Sequence, residues 1–285
     1  MVRAFIASLR LLPYRWRVPL AGWAMSRLIA PLLGYRKRIR ENLALVCPEV
    51  PADEVERLVR AVPDNMGRTF VEMFSGAAFR ERALRARQSG AGLAAVEQAV
   101  RDKRPIVFIS GHFGNYDAAR VLFAARIGKV GALYRPLNNQ FINAQYVAAI
   151  TSLAEPLFPR GRRGMAKMLA HLRGGGALAL LIDQHMRNGA PLTFFGHEAY
   201  TALSAAEMAL KYDALVIPVY ATRQPNGLDF AVEFEAPIPH TTPEEMTQAL
   251  NDSLEARVRG HMGQWLWTHR RWKPLDSPAD DPDTE

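Results

Sequence analysis

In the stretch FISGHFGNYDAAR (108–120), His112 and Asp117 are the two residues whose types and spacing suit proton transfer. The preceding run PIVFIS (105–110) reads as a short buried strand, and the residues after Asn115 read as a helix. The pair therefore straddles a strand-to-helix turn. A carboxylate bonded to one imidazole nitrogen fixes the tautomer and leaves the other nitrogen as a base. A helix advances about 100° per residue, so side chains five apart point roughly 140° away from each other. The two meet only if His112 sits in the turn and Asp117 in the first helical turn. Gly111 and Gly114 permit the sharp path, and Asn115 is a candidate N-cap. Strand ends of α/β sheets are where sites gather. Spacing alone leaves an equal alternative, in which His112 closes the strand and Asp117 caps the helix.

A base at His112 needs a proton donor. Ser110 precedes it directly but lacks a G-x-S-x-G elbow. Cys47 lies far upstream, so no covalent intermediate is indicated and a substrate hydroxyl is the expected donor. GHFGN and DQH (183–185) bear a partial likeness to metallophosphatase ligand motifs. However, no Asp-rich motif precedes them and no G-D-x-x-D is present. Too few carboxylates remain, and no metal is expected.

The elements that must position this pair alternate along the chain. Buried strands are predicted at 105–110, 130–134, 177–183, 214–223 and 229–234. Helices are predicted over 51–87, 91–103, from Asn115 to Ile127, and near 139–153. Further helices are expected over GMAKMLAHLR, which the following glycines stop, near 204–212, and over 243–262. This alternation predicts an α/β fold, a mixed and mostly parallel sheet flanked by helices. No internal repeat or linker divides residues 36–273. Residues 274–285, rich in Pro and Asp, are expected to form a disordered acidic tail.

Charge is placed unevenly. The net charge is +8, yet residues 1–40 carry nine basic side chains and no acid, while the tail from Pro274 carries only acids. Such a surface suits an anionic partner: nucleic acid, anionic lipid or an acidic protein. Phe5, Trp16, Trp23 and Tyr35 interleave with the N-terminal bases. Arg27 splits the apolar stretch into uncharged runs of nine and eight residues, short of the ~18 that mark a spanning helix. With Arg27 snorkelling, 18–35 just spans. The favoured expectation is a segment, residues 1–35, whose helices lie in the interface of an anionic membrane. The alternative is an amphipathic helix docked on the core. A nucleic-acid module would show stacking aromatics or a reading motif, and neither is found. The lone Cys47 excludes an internal disulfide and suits a reducing compartment. No cleavable signal is evident.

GHFGNYD resembles the His-x4-Asp motif of the glycerolipid and lipid A acyltransferase superfamily. Surrounding blocks, in order, are similar to the bacterial lipid A late acyltransferases. They are RKRIRENLALVCPE (36–49), ALYRPLNNQFIN (132–143), IDQHMRNGAPLTFFGHEAYT (182–201), VIPVY, and QWLWTHRRWK (264–273). The resemblance covers residues ~35–273. One departure is that the subfamily usually carries Glu where Asp117 stands. The resemblance implies acyl transfer from an acyl carrier protein or coenzyme A thioester to a hydroxyl of a phosphorylated glycolipid, a lipid A precursor, with no cofactor. It also implies a place on the cytoplasmic face of the inner membrane. Transfer to another lysolipid is the nearest alternative.

On that reading His112 takes the hydroxyl proton and Asp117 holds the imidazole. Arg135 matches the family's Tyr-Arg-Pro arginine and binds the acceptor. Arg163, in the cluster Arg160, Arg162, Arg163 and Lys167 that opens a helix, binds phosphate; a solvated basic face is the alternative. Asp183 shapes the site, through Arg135 or an acceptor hydroxyl, unless it belongs to a buried ion pair. Gly114 and Asn115 shape the turn and are counted among the substrate-binding residues, and backbone N–H groups near Gly114 or the Arg135 side chain are candidates for the oxyanion. Phe194 and Phe195 are read as core aromatics or as the lining of an acyl channel. Trp265, Trp267 and Trp272 with Arg270 and Arg271 form a membrane anchor or a packed final segment. His185 and Arg187 read as loop surface.

Overall fold

Strand β2 (Ile106–Ser110) shows why the sheet forms: every residue up to Ile109 is apolar and buried, with Ile106 and Phe108 facing one core and Val107 and Ile109 the other. A strand covered on both faces is the mark of a parallel sheet between helical layers. The structure, a computed structural model, describes residues 11–274. The expected tail beyond Pro274 lies outside the described residues, as do the first ten. Seven strands run in the order β1-β9-β8-β2-β5-β3-β4. They are β1 (Arg87–Ser89), β2, β3 (Val130–Tyr134), β4 (Leu157–Pro159), β5 (Ala177–Leu181), β8 (Leu215–Arg223) and β9 (Phe230–Phe234). Only β8 and β9 pair antiparallel; the other pairs in this sheet are parallel. A separate hairpin joins β6 (Ala190–Phe194) to β7 (His197–Thr201).

The five predicted strands are present. The hairpin, β1 and β4 are additions that no buried apolar run foretold: β1 is fully exposed and the hairpin is half-polar. One layer of helices comprises α4 (Ala77–Leu84), α5 (Leu93–Arg101), α6 (Tyr116–Ile127) and α7 (Gln140–Leu153). It packs on one face of the sheet, where Phe108 stacks on Phe123 at 4.1 Å. The other face is covered by α8 (Arg162–Arg173), α9 (Ser204–Tyr212) and α10 (Pro243–Gly260).

From residue 11 on, the chain before the sheet is largely helical: α1 (Tyr14–Ala24), a π turn (Met25–Ile29), a short stretch to Leu32, α2 (Tyr35–Val46) and α3 (Ala52–Met73). The single helix expected over 51–87 is broken. Ser75 Oγ bonds back to the Val71 carbonyl and Gly76 takes φ +53°, so α4 leaves in a new direction. Helix α1 docks on α3 so closely that a Cβ at Gly67 would lie 2.4 Å from the Ala21 carbonyl oxygen. Its other face stays open, with Trp16 63% and Trp23 52% exposed. Among the described residues no helix is long and apolar enough to cross a membrane.

Candidate active site

Sheet register builds the site. Ser110, the last residue of β2, pairs with Leu181, the last of β5. The Ile182 N–H then donates to the Ser110 carbonyl at 3.2 Å. Two residues further along each parallel strand stand His112 and Asp183, at the same height above neighbouring strands about 4.8 Å apart. His112 Nδ1 lies 2.8 Å from Asp183 Oδ1, and the His112 backbone N–H donates to Oδ2 at 2.7 Å. The Trp265 indole N–H donates to the same Oδ2 at 2.8 Å.

An ionised carboxylate only accepts, so Nδ1 carries the proton and Nε2 is the basic nitrogen. Among the described residues no group hydrogen-bonds Nε2. The imidazole is 23% exposed whereas the carboxylate is 1% exposed. Burial by itself would lower the His112 pKa. The charge and hydrogen bond of Asp183 outweigh it, with a smaller contribution from the Asp117 charge, and hold the ring above its ordinary 6.5. Burial also works against ionised Asp183. The His112 ring and the donors from the His112 backbone and Trp265 nevertheless bring it down to about 2.

Asp117 is not the imidazole's partner, contrary to the sequence expectation. It sits in the first turn of α6, as expected, but its Oδ1 accepts from Arg120 Nε at 3.1 Å. Arg120 in turn donates to the carbonyls of Ala154 and Ile150. Asp117 thus ties α6 to the end of α7 and makes no hydrogen bond to His112. Asn115 caps α6 as expected, its Oδ1 accepting from the Asp117 N–H at 3.1 Å. Gly114 takes φ +56°, and a Cβ there would fall 1.9 Å from the Ala221 carbonyl oxygen. The backbone N–H groups of Gly114 and Asn115 are committed to the carbonyls of Gln264 and Ala221. They are therefore withdrawn as donors to an oxyanion.

Arg135 stands one residue past β3, half-buried and at the same edge of the sheet as His112. Arg163 is exposed in the first turn of α8, whose N-terminus opens on that edge after β4. Phe194 and Phe195 do not line a channel. They are 1% and 2% exposed within an aromatic cluster with Trp265, Trp267 and Trp272. The final block is likewise packed: Arg271 is buried, bonding the Tyr200 carbonyl and Thr201, and Asn42 of α2 donates to the Trp267 and His269 carbonyls. His185, expected on the surface, is buried beside Tyr200, whereas Arg187 is exposed. Sequence reasoning missed Trp265 as the second support of Asp183; its place in QWLWTHRRWK was the only pointer. Among the described residues no three His, Cys, Asp or Glu side chains are grouped to hold a metal ion.

An α/β sheet with a histidine held by a buried aspartate at its carboxyl edge has the parts of a transferase acting by general base. The sequence pattern of the family described as bacterial lipid A biosynthesis acyltransferase matches residues 1–274, and the chain belongs to that family. It is an acyltransferase. It is 24% identical over 243 residues to the phosphatidylinositol mannoside acyltransferase of Mycolicibacterium smegmatis, covering 84% of this chain and 80% of that one. The lipid A biosynthesis palmitoleoyltransferase of Escherichia coli K12 is 24% identical over 260 residues (88% and 83% covered). The lipid A biosynthesis acyltransferase of Haemophilus influenzae is 22% identical over 270 residues (92% and 83% covered).

Proposed function

We propose that the enzyme moves a fatty acyl chain from an acyl carrier protein or coenzyme A thioester to a sugar hydroxyl of a phosphorylated glycolipid, a lipid A precursor. The observation that carries this reading is the His112–Asp183 contact, which leaves Nε2 of an exposed-edge imidazole as the base. Nε2 takes the hydroxyl proton as the alkoxide oxygen attacks the thioester carbonyl. The tetrahedral intermediate collapses, the carbon–sulfur bond breaks, and the imidazolium returns the proton to the departing thiolate. Asp183 stabilises the imidazolium between these steps. Proton transfer of this kind contributes about 10²–10⁴-fold, and positioning of the two substrates supplies more.

Arg135 binds the acceptor, and the exposed Arg160, Arg162, Arg163 and Lys167 around the start of α8 attract its phosphates or an acidic carrier protein. The open face of α1 and the residues after it, with Trp16, Trp23, Leu28 and Leu32 exposed beside Arg15 and Arg27, rests on an anionic membrane surface. The place expected of such an enzyme is the cytoplasmic face of the inner membrane. A second acceptor deserves a direct trial: relatives of equal identity are named for phosphatidylinositol mannoside.

Mass spectrometry of lipids from cells lacking the gene tests the acceptor; loss of one acyl chain from lipid A is expected, and an intact lipid A with altered mannolipid selects the second acceptor. Purified His112→Ala should transfer no acyl chain while remaining folded, and turnover by that variant removes the base from His112. Arg135→Ala should raise the acceptor KM. Because α1 is packed on α3, membrane contact is better tested by Trp16→Ser, Trp23→Ser and Leu32→Ser together than by truncation. Release from vesicles containing phosphatidylglycerol is expected.

A further inference from the structure

The turn that carries His112 is gripped from the side opposite Asp183 by a buried polar network. Glu72, near the end of α3, is fully buried, and Arg223, the last residue of β8, is 7% exposed. Their contact is bidentate, Nη1 to Oε1 at 2.6 Å and Nη2 to Oε2 at 2.7 Å. Asn115 Nδ2 donates to Glu72 Oε2 at 2.7 Å, and the Tyr14 hydroxyl donates to Oε1 at 3.0 Å. Each carboxylate oxygen of Glu72 thus receives two donors. Arg223 Nε donates to Asn65 Oδ1 at 2.8 Å and Nη2 to Thr69 Oγ1 at 3.2 Å. Asn65 and Thr69 both then donate to the Gly114 carbonyl, at 3.0 and 3.1 Å. The Gly114 N–H is held by the Gln264 carbonyl, and the Gln264 side chain pairs with the Arg223 backbone in both directions.

The Gly114 carbonyl and the Asn115 side-chain N–H therefore both end on Glu72 or on residues that Arg223 orients. Burying such an ion pair is costly, and a well-packed apolar pair commonly gives equal or greater stability. Its retention beside the turn calls for a role in geometry. His112 makes two simultaneous contacts to one carboxylate, one from the backbone and one from the ring, and a slide of the turn by about 1 Å would take both beyond hydrogen-bond range.

We propose that Glu72 and Arg223 are positioning residues for the reaction: acting through Asn115, Asn65 and Thr69, they lock the 112–115 turn in the register that keeps Nδ1 on Asp183. This rests on His112 as the base. The test is a pair of variants, Glu72→Gln, which keeps the volume but removes the charge, and Thr69→Val, which removes one hydroxyl donor and leaves the ion pair intact. The His112 titration is followed by NMR of imidazole-labelled protein, assigned against His112→Ala, with kcat and KM measured for a dodecanoyl thioester. Among the described residues the charged groups acting on His112 are Asp183 and Asp117, and the titratable Tyr116 ring packs on it at 5.4 Å; neither variant alters these.

The titration midpoint of His112 should fall in both folded variants, more in Glu72→Gln. Their kcat should drop about tenfold to a hundredfold, as for a misplacement near 1 Å, with KM little changed. If Glu72→Gln does not fold, Thr69→Val decides. A wild-type His112 midpoint in folded variants overturns the proposal, whatever happens to their stability. An active His112→Ala enzyme would instead remove the base assignment, a failure the titration does not mimic.

Discussion

Asp117 and Asp183 are both buried carboxylates next to His112, yet they do different work. Asp117 is five residues away in sequence; Asp183 is seventy-one. In the first turn of α6 the neighbour a carboxylate meets is three or four residues on, and Arg120 is there to take it. Asp183 leaves a parallel strand that runs beside the one leaving for His112, and the shared register brings their side chains together. Asp117 is fixed to its own helix and to the end of α7. Asp183 is fixed to the ring and the backbone of His112 and to the indole of Trp265, two segments far from it in the chain. The His112 ring is thus oriented by its neighbour across the sheet, and the short motif marks the histidine without naming its partner.

The comparison breaks most visibly at Asp183. Asp183→Asn keeps the size, but an amide beside Nδ1 favours the wrong tautomer; kcat should fall about 10³–10⁴-fold, measured in steady state on folded protein. If Asp117→Asn costs more activity than Asp183→Asn, the two roles are reversed.

Trp265→Phe removes one charge-assisted hydrogen bond from Asp183, an interaction worth about 1.5–3 kcal/mol. Roughly tenfold lower kcat is expected, with the Asp183 pKa raised from about 2. Carboxylate-resolved NMR checks the latter.

The pH profile sharpens the contrast further. The base works neutral, so kcat/KM should rise as pH passes upward through the His112 pKa, with its acid limb centred above 6.5. Taking away the anion that favours imidazolium lowers that pKa, so residual activity of Asp183→Asn should show its limb at lower pH. Asp117 contributes only a weaker charge at longer range, and Asp117→Asn should move the limb in the same direction by less.

Asp117→Asn should have the smallest catalytic effect and a clear structural one. It leaves Arg120 buried without its carboxylate, and removing one partner of a buried pair costs about 3–5 kcal/mol. Urea unfolding should show that loss, while turnover per folded molecule stays near wild type.

Much of this was legible in the linear sequence because it depends on local rules. The continuous apolar runs at 105–110, 130–134, 177–183 and 214–223 form strands, the first and last of them buried on both faces, and their alternation with helices fixes a mostly parallel sheet. Asn115 is an N-cap because its side chain reaches only two residues ahead. Gly114 is required because the backbone there is left-handed against a neighbouring strand. The break at Ser75–Gly76 was less legible, since apolar periodicity continues across it and the run ends on a hydroxyl bonding back to the helix and one glycine at positive φ. The hairpin at 190–201 carries too few buried residues to announce itself.

Contiguous residues were enough to mark His112, the turn that presents it, the basic side chains around Arg135 and Arg163, and the family of the enzyme. Folding alone settles which carboxylate meets the His112 ring, that Phe194 and Phe195 pack in an aromatic cluster with Trp265, and that α1 docks one face while opening the other. Those choices depend on strand order, register and helix crossing, which bring together side chains far apart in the chain.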